Sequence, residues 1–430
     1  MVLRVLCVGS ACKAGEAVAG AAVPFCALPP ELRREIGSGF REGRSPDVMA
    51  ATAALDLVST HVSPGVRVAW PGASGASETP DAPDTRVPMA FFGAGIDPDP
   101  IPDGTALDSI APTLEAITGV HREHPEVRTG ESIPGLAAGT GAEIPLVVLI
   151  GWKGAGTPDL ERDPGAWPFL RSTLATGAGS LQAVTGSIPL DPAATLTTIG
   201  TGGVPSSHGI TGTLLREDDG DVSPAWSTSS AGSVIATFAD DLDYATDERA
   251  RIAAILSDPA DRGIIGDGWY LDASDDDRVA GAGDAPTRPA LQVRNMVTSQ
   301  DLGTDGVTDV LGIVLAGRIA RLDGATADVV ETIRELVPGT TFVVAGTGST
   351  QSDGSIEAAE LGSRVDESLG ADVVRGVAAD GLFLDRDVLV ERSITSQRVA
   401  DALRSQRSLD GQVLFADVYP SFAVAFSRYC

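Results

Sequence analysis

Leu190 to Gly212 reads LDPAATLTTIGTGGVPSSHGITG. Small and hydroxyl residues surround paired glycines, and the stretch runs into Ser207-His208-Gly209-Ile210. About forty residues earlier, the apolar run Ile144 to Ile150 (IPLVVLI) leads into Gly151-Trp152-Lys153-Gly154-Ala155-Gly156. The run predicts a buried strand feeding a glycine turn, and Thr195 to Gly200 predicts a hydroxyl-rich helix beyond it. Many α/β hydrolytic enzymes place a nucleophile in such a setting, so each position must be asked whether it carries the chemistry.

Composition sets the outer bounds. A chain of 430 residues with 43% hydrophobic content can bury one large or two medium cores. Its 50 glycines and 28 prolines, with only 5% aromatics, fit a loop-rich α/β protein. The net charge of −28 opposes a nucleic-acid backbone or an anionic membrane as partner, because like charges repel. Only Lys13 and Lys153 are lysines among the basic residues, a bias of genomic composition before it is one of function. No run approaches the roughly 18 apolar residues of a membrane-spanning helix. Val5 to Val8 is short for a signal sequence and Cys12 sits in a poor lipid-attachment context, so a cytoplasmic location is expected. The cysteines, Cys7, Cys12, Cys26 and Cys430, form no CxxC pair and no zinc pattern.

Further apolar runs at Val87 to Gly93, Val307 to Ala316 and Thr341 to Ala345 predict buried strands. Leu107 to Ile117, Trp167 to Thr176 and Ala327 to Val337 predict helices between them. His61 to Trp70 reads as a strand near its end, and Asp47 to Leu57 is ambiguous between strand and helix. The expected fold is α/β, a mostly parallel central sheet with helices on both faces and a small α/β subdomain. By composition, 131–143 is a linker, 217–286 an acidic and irregular insertion within 144–355, and 356–430 the subdomain.

Several segments resemble the alkaline phosphatase superfamily, in its type I phosphodiesterase and nucleotide pyrophosphatase branch. Ile144 to Gly151 is similar to the family's first strand, and Trp167-Pro168-Phe169-Leu170 with Leu174 and Gly177-Ala178 to its next helix. Thr201-Gly202 through Pro205 to His208-Gly209-Ile210 resembles its threonine-glycine, proline, histidine-glycine signature. Gly43 to Asp47, Asp84 to Met89, Phe92 to Ile96 and Asp108 to Leu114 resemble parts that come late in the family. The resemblance therefore implies a circular permutation, with 1–130 supplying the usual C-terminal part and 144–430 the rest. It places Cys430 near the start of the chain, where a bridge to Cys7, Cys12 or Cys26 would fit; free thiols are the expectation for a cytoplasmic protein.

The family's reaction uses two divalent metals, commonly zinc, to activate a Ser or Thr and clamp phosphoryl oxygens. The first-strand Asp of that pattern falls at Lys153. The nucleophile falls at Pro192, and the later Asp-His pair at Gly346-Thr347. The loop after Val314-Leu315-Ala316 runs as Gly317-Arg318 straight toward a helix. The last histidine falls near Ser77, Arg86 replaces another, and His208 matches a position that binds no metal. His121 and His124, at i, i+3 spacing, have no carboxylates in register to complete a site.

The expectation is thus a metal-independent pseudoenzyme without cofactor that binds an anionic small molecule or a protein partner. Lys153, Arg86 and Arg318, with Trp152, are the ligand-binding candidates. The alternatives are a hydrolase or other enzyme rebuilt around Asp191, Thr195 and Thr197 with Lys153 and Arg86, and a structural component of an assembly. Hydroxyls at a helix start also serve as caps, and Lys153 also reads as a solvated turn residue.

Overall fold

The computed structural model describes residues 25–52, 56–59, 67–68, 85–122, 127–137, 143–227, 232–270, 278–280, 288–349, 354–378, 381–407, 415–426 and 430. Its centre is a seven-stranded sheet ordered Arg278–Ala280, Ile252–Ile255, Asp309–Ala316, Leu146–Lys153, Thr341–Gly346, Arg86–Gly93, Ala178–Val184. The first five strands run parallel, and the last two are antiparallel to their neighbours. Leu146–Lys153, the central strand, reads LVVLIGWK and is buried at every position. A parallel strand covered on both faces needs such a nearly continuous apolar run. Its side chains alternate with the strand's two-residue period. Val147 and Leu149 join a core with Leu196 of the helix Pro192–Thr201. Val148, Ile150 and Trp152 join the opposite core with Leu170, Leu322 and Val330.

Pro192–Thr201, the hydroxyl helix, is buried along its whole length. Asp191 caps it, Pro192 occupies its first turn, where no amide hydrogen is needed, and Gly202 ends it in the left-handed conformation. Across the sheet lies the long helix Ile319–Leu336.

A second, antiparallel sheet is ordered Val374–Ala378, Gly381–Leu384, Val48–Thr52, Phe415–Pro420. Within the ambiguous stretch Asp47 to Leu57, Val48–Thr52 is therefore strand, and it lies inside the late subdomain between two late strands. Asp47 accepts hydrogen bonds from the Leu384 amide at 2.8 Å and from Arg386 at 2.9 Å, and it also pairs with Arg216. The subdomain expected from 356–430 alone thus needs both parts of the chain.

Three other expectations are corrected. The segment 217–286 is not simply irregular: it contributes the helix Phe238–Ala245 and the core strand Ile252–Ile255. Four apolar residues among many acids were too short a run to declare a strand. The 131–143 linker is packed where it is described: Ile133 and Leu136 are buried in the core, and the Ile133 amide donates to Thr113 Oγ1 at 2.9 Å. Instead of a free thiol, Cys430 forms a disulfide with Cys26, the Cα atoms 5.1 Å apart. The bridge adjoins a cluster of Phe25, Ile36, Met49, Tyr419 and Val424. Arg67–Val68 is a short strand; His61, Ser77, His124, Cys7 and Cys12 lie outside the described residues.

A bridge spanning 404 residues of sequence restricts the unfolded chain strongly. Cys26→Ser or Cys430→Ser is expected to lower unfolding free energy by about 2–5 kcal/mol in non-reducing urea denaturation. Mass mapping without reductant should recover the Cys26 and Cys430 peptides joined.

Candidate functional site

The carboxyl end of the central strand is the place where open α/β sheets bind ligands. Lys153, its last residue, is only 8% exposed, and its Nζ lies 2.6 Å from Asp261 Oδ1. Asp261 is fully buried and belongs to the 3-10 segment Pro259–Ile264. Its other oxygen accepts a 2.6 Å bond from Ser257 Oγ. Burial raises the Asp261 pKa, and the Lys153 charge opposes that rise. The ammonium is committed to an internal carboxylate instead of facing solvent.

Asp261 is brought there by close backbone packing. The segment Pro259–Ile264 lies on the hydroxyl helix so tightly that a Cβ on Gly263 would stand 2.0 Å from Thr197 Oγ1. On the other side of the strand end, the loops 152–155 and 347–348 are zipped together. The Thr347 amide donates to Trp152 O at 3.2 Å, the Gly154 amide to Thr347 Oγ1 at 2.8 Å, and the Gly348 amide to Ala155 O at 3.1 Å.

The other expected site residues are engaged separately. Arg86 forms a two-pronged pair with Glu161 at 2.9 and 3.2 Å. Trp152 is fully buried, and its Nε1 donates to Thr326 Oγ1 of the long helix at 2.8 Å. Arg318 is exposed at the start of that helix and makes no side-chain cap. Asp191 accepts from the Ala193 amide at 2.8 Å and the Thr213 amide at 2.9 Å, and burial raises its pKa. Thr195 Oγ1 donates to Asp191 O at 3.0 Å, and Thr197 Oγ1 to Ala193 O at 2.8 Å. These hydroxyls close the turns of their own helix. Thr198 meets His208 Nε2 at 3.1 Å, and the Ile210 amide donates to His208 Nδ1 at 3.1 Å. Burial, then the charges of Arg41 and Arg44, lowers the His208 pKa to about 3.

At the positions that the sequence resemblance implies, the described residues do not fit a pair of divalent metals. On that placement Lys153 is an ammonium where the first carboxylate would stand, and it repels a metal cation. Gly346 cannot be exchanged for an acid in place, because a Cβ there would lie 2.3 Å from Ala155 O. Among the described residues, no group of three or more His, Cys, Asp or Glu side chains could hold a metal ion. Asp261 and Ser257 were missed by sequence reasoning because they lie in the acidic segment. Ile252–Ile255 followed by Ser257-Asp258-Pro259 was the available signal: a short strand, then an Asp-Pro helix start.

No family model matches the chain, and no curated protein matches it. Among solved structures, a multiply substituted variant of the alkaline phosphatase PafA matches at 14% identity with a TM-score of 0.43. The match covers 62% of this chain and 77% of that one.

Two outcomes follow. Lys153→Met or Asp261→Leu alone should destabilise the protein by about 3–5 kcal/mol, since each strands a buried charge. The double variant should recover much of that loss in a denaturation cycle. Separately, the unfolded state binds a proton at His208 near pH 6.5, whereas the folded state binds it only near pH 3. Stability from this group is therefore complete above about pH 6.5 and lost as pH falls toward 3. His208→Gln should flatten that part of the stability-against-pH curve.

Proposed function

We propose that this chain is a catalytically silent binding protein on a circularly permuted, alkaline phosphatase-like frame. Its ligand is an anionic small molecule or a protein partner. The observation that carries the reading is the buried Lys153–Asp261 pair at the carboxyl end of the central strand. It fills with an internal charge pair the place where the sequence resemblance implies a metal ligand. Pro192, with no hydroxyl, occupies the corresponding nucleophile position. The candidates for a rebuilt nucleophile, Thr195 and Thr197, donate to backbone carbonyls of their own helix.

Support for the permuted order comes from the interleaving of early and late strands in both large sheets and from the Cys26–Cys430 bridge. That bridge also favours an oxidising compartment over the reducing cytosol expected from the sequence. Among the described residues, no helix is long and apolar enough to cross a membrane. Of the cations proposed for ligand binding, Lys153 and Arg86 have internal partners, and Arg318 stands on the surface.

The test is metal analysis of the purified protein combined with hydrolysis of bis(4-nitrophenyl) phosphate, with and without chelator. Sub-stoichiometric metal and no chelator-sensitive turnover are expected. About two equivalents of zinc or manganese, with turnover abolished by the chelator, would overturn the reading.

A further inference from the structure

A cavity of about 440 Å³ opens between the helix Pro289–Ser299 and the long helix, beside Leu315 and Ala316 at the carboxyl end of Asp309–Ala316. Its size falls within the usual range for small-molecule sites. Leu315 and Leu322, both buried, form part of its apolar lining, and Leu291, at 49% exposure, extends that surface to the mouth. Arg288, Arg321 and Asp328 supply its charge. The chain as a whole carries 31 basic against 59 acidic residues. Two arginines against one aspartate therefore reverse the background ratio at this place.

The position of Arg321 follows from the turn that ends the strand. Gly317 has φ +145°, and a Cβ there would meet Arg321 Cδ at 3.3 Å, so the arginine stem crosses the glycine at the strand end. The floor is anchored from below. Thr326, next to the lining residue Ala325, accepts the Trp152 Nε1 bond that ties the long helix to the central strand.

We infer that this cavity binds an amphipathic oxyanion, a carboxylate or phosphate carried on an apolar chain. The inference rests on the reading of the chain as a binding protein and gives that reading a ligand class. The guanidinium groups of Arg288 and Arg321 recognise the oxyanion through charge-assisted hydrogen bonds. The leucine surface takes the apolar chain out of water. Asp328, two turns along the same helix from Arg321, repels the anion toward the arginine end and disfavours ligands with a second negative charge at the other end.

The experiment is calorimetric titration of the intact, disulfide-bonded protein with decanoate and with decyl phosphate, using decanol and decyltrimethylammonium as comparisons. Saturable binding of at least one anion is expected, at least tenfold tighter than decanol or the ammonium. Preference between the two anions identifies the headgroup. Arg288→Ala, at an exposed position, should weaken binding about tenfold, as should Arg321→Ala, the loss of one charge-assisted contact. Ala325→Phe, which fills the cavity from the helix, should abolish it, with circular dichroism and the melting temperature reporting folding. The inference is overturned by the absence of saturable anion binding, by equal affinity for decanol or the ammonium, or by unchanged affinity in the folded arginine variants. Failure here without metal-dependent turnover leaves the silent-protein reading standing. Metal-dependent turnover alongside cavity binding removes that reading and keeps the site.

Discussion

The arrangement around the strand end depends on one buried ion pair, Lys153 with Asp261. A charged lysine leaves water only when a carboxylate answers it at close range, and a lone buried aspartate would carry the same penalty. Each residue therefore fixes the other. Lys153 ends the central strand, and Asp261 lies on a segment pressed against the hydroxyl helix. The pair accordingly ties the central strand to that segment and, through it, to the helix. Ser257 satisfies the second carboxylate oxygen, so the cluster is closed without a solvent partner for Asp261.

The same closed packing satisfies the many hydroxyls gathered here. Thr195, Thr197, Thr198 and Thr201 each donate to the carbonyl four residues back. In a helix packed on every side, a hydroxyl that finds an acceptor on its own backbone avoids the cost of an unmet buried donor. Their short side chains also let the segment holding Gly263 approach. Hydroxyl-rich composition here serves close packing.

Much of the frame was legible in the sequence. IPLVVLI, VPMAFF and TFVVA are long, nearly uninterrupted apolar runs, and such runs leave little choice but a covered sheet. The hydroxyl helix runs beyond the expected Thr195 to Gly200, from the Asp191 cap and Pro192 to Gly202, end signals that the expectation did not use. The role of Lys153 could not be read in this way. Its partner lies 108 residues away, on a segment whose acidic surroundings hid a four-residue strand. Nor could sequence show that Val48–Thr52 enters the late sheet, because strand pairing across such a distance leaves no local trace. Local signals carried the elements, while the site depended on contacts between distant residues.

The Cys26–Cys430 bridge has a topological consequence. With it closed, residues 26 to 430 form a covalent ring, made of peptide bonds except for a single link through sulfur. One cut of the backbone within 131–143 would not divide this molecule. It would yield a two-chain species in which 144–430 leads, through the disulfide, back to the segment beginning near Cys26. Reductant would then release two pieces whose strands are interleaved in both large sheets. In the nicked form, sulfur chemistry alone would decide whether the halves behave as one molecule or as two partners bound only by packing.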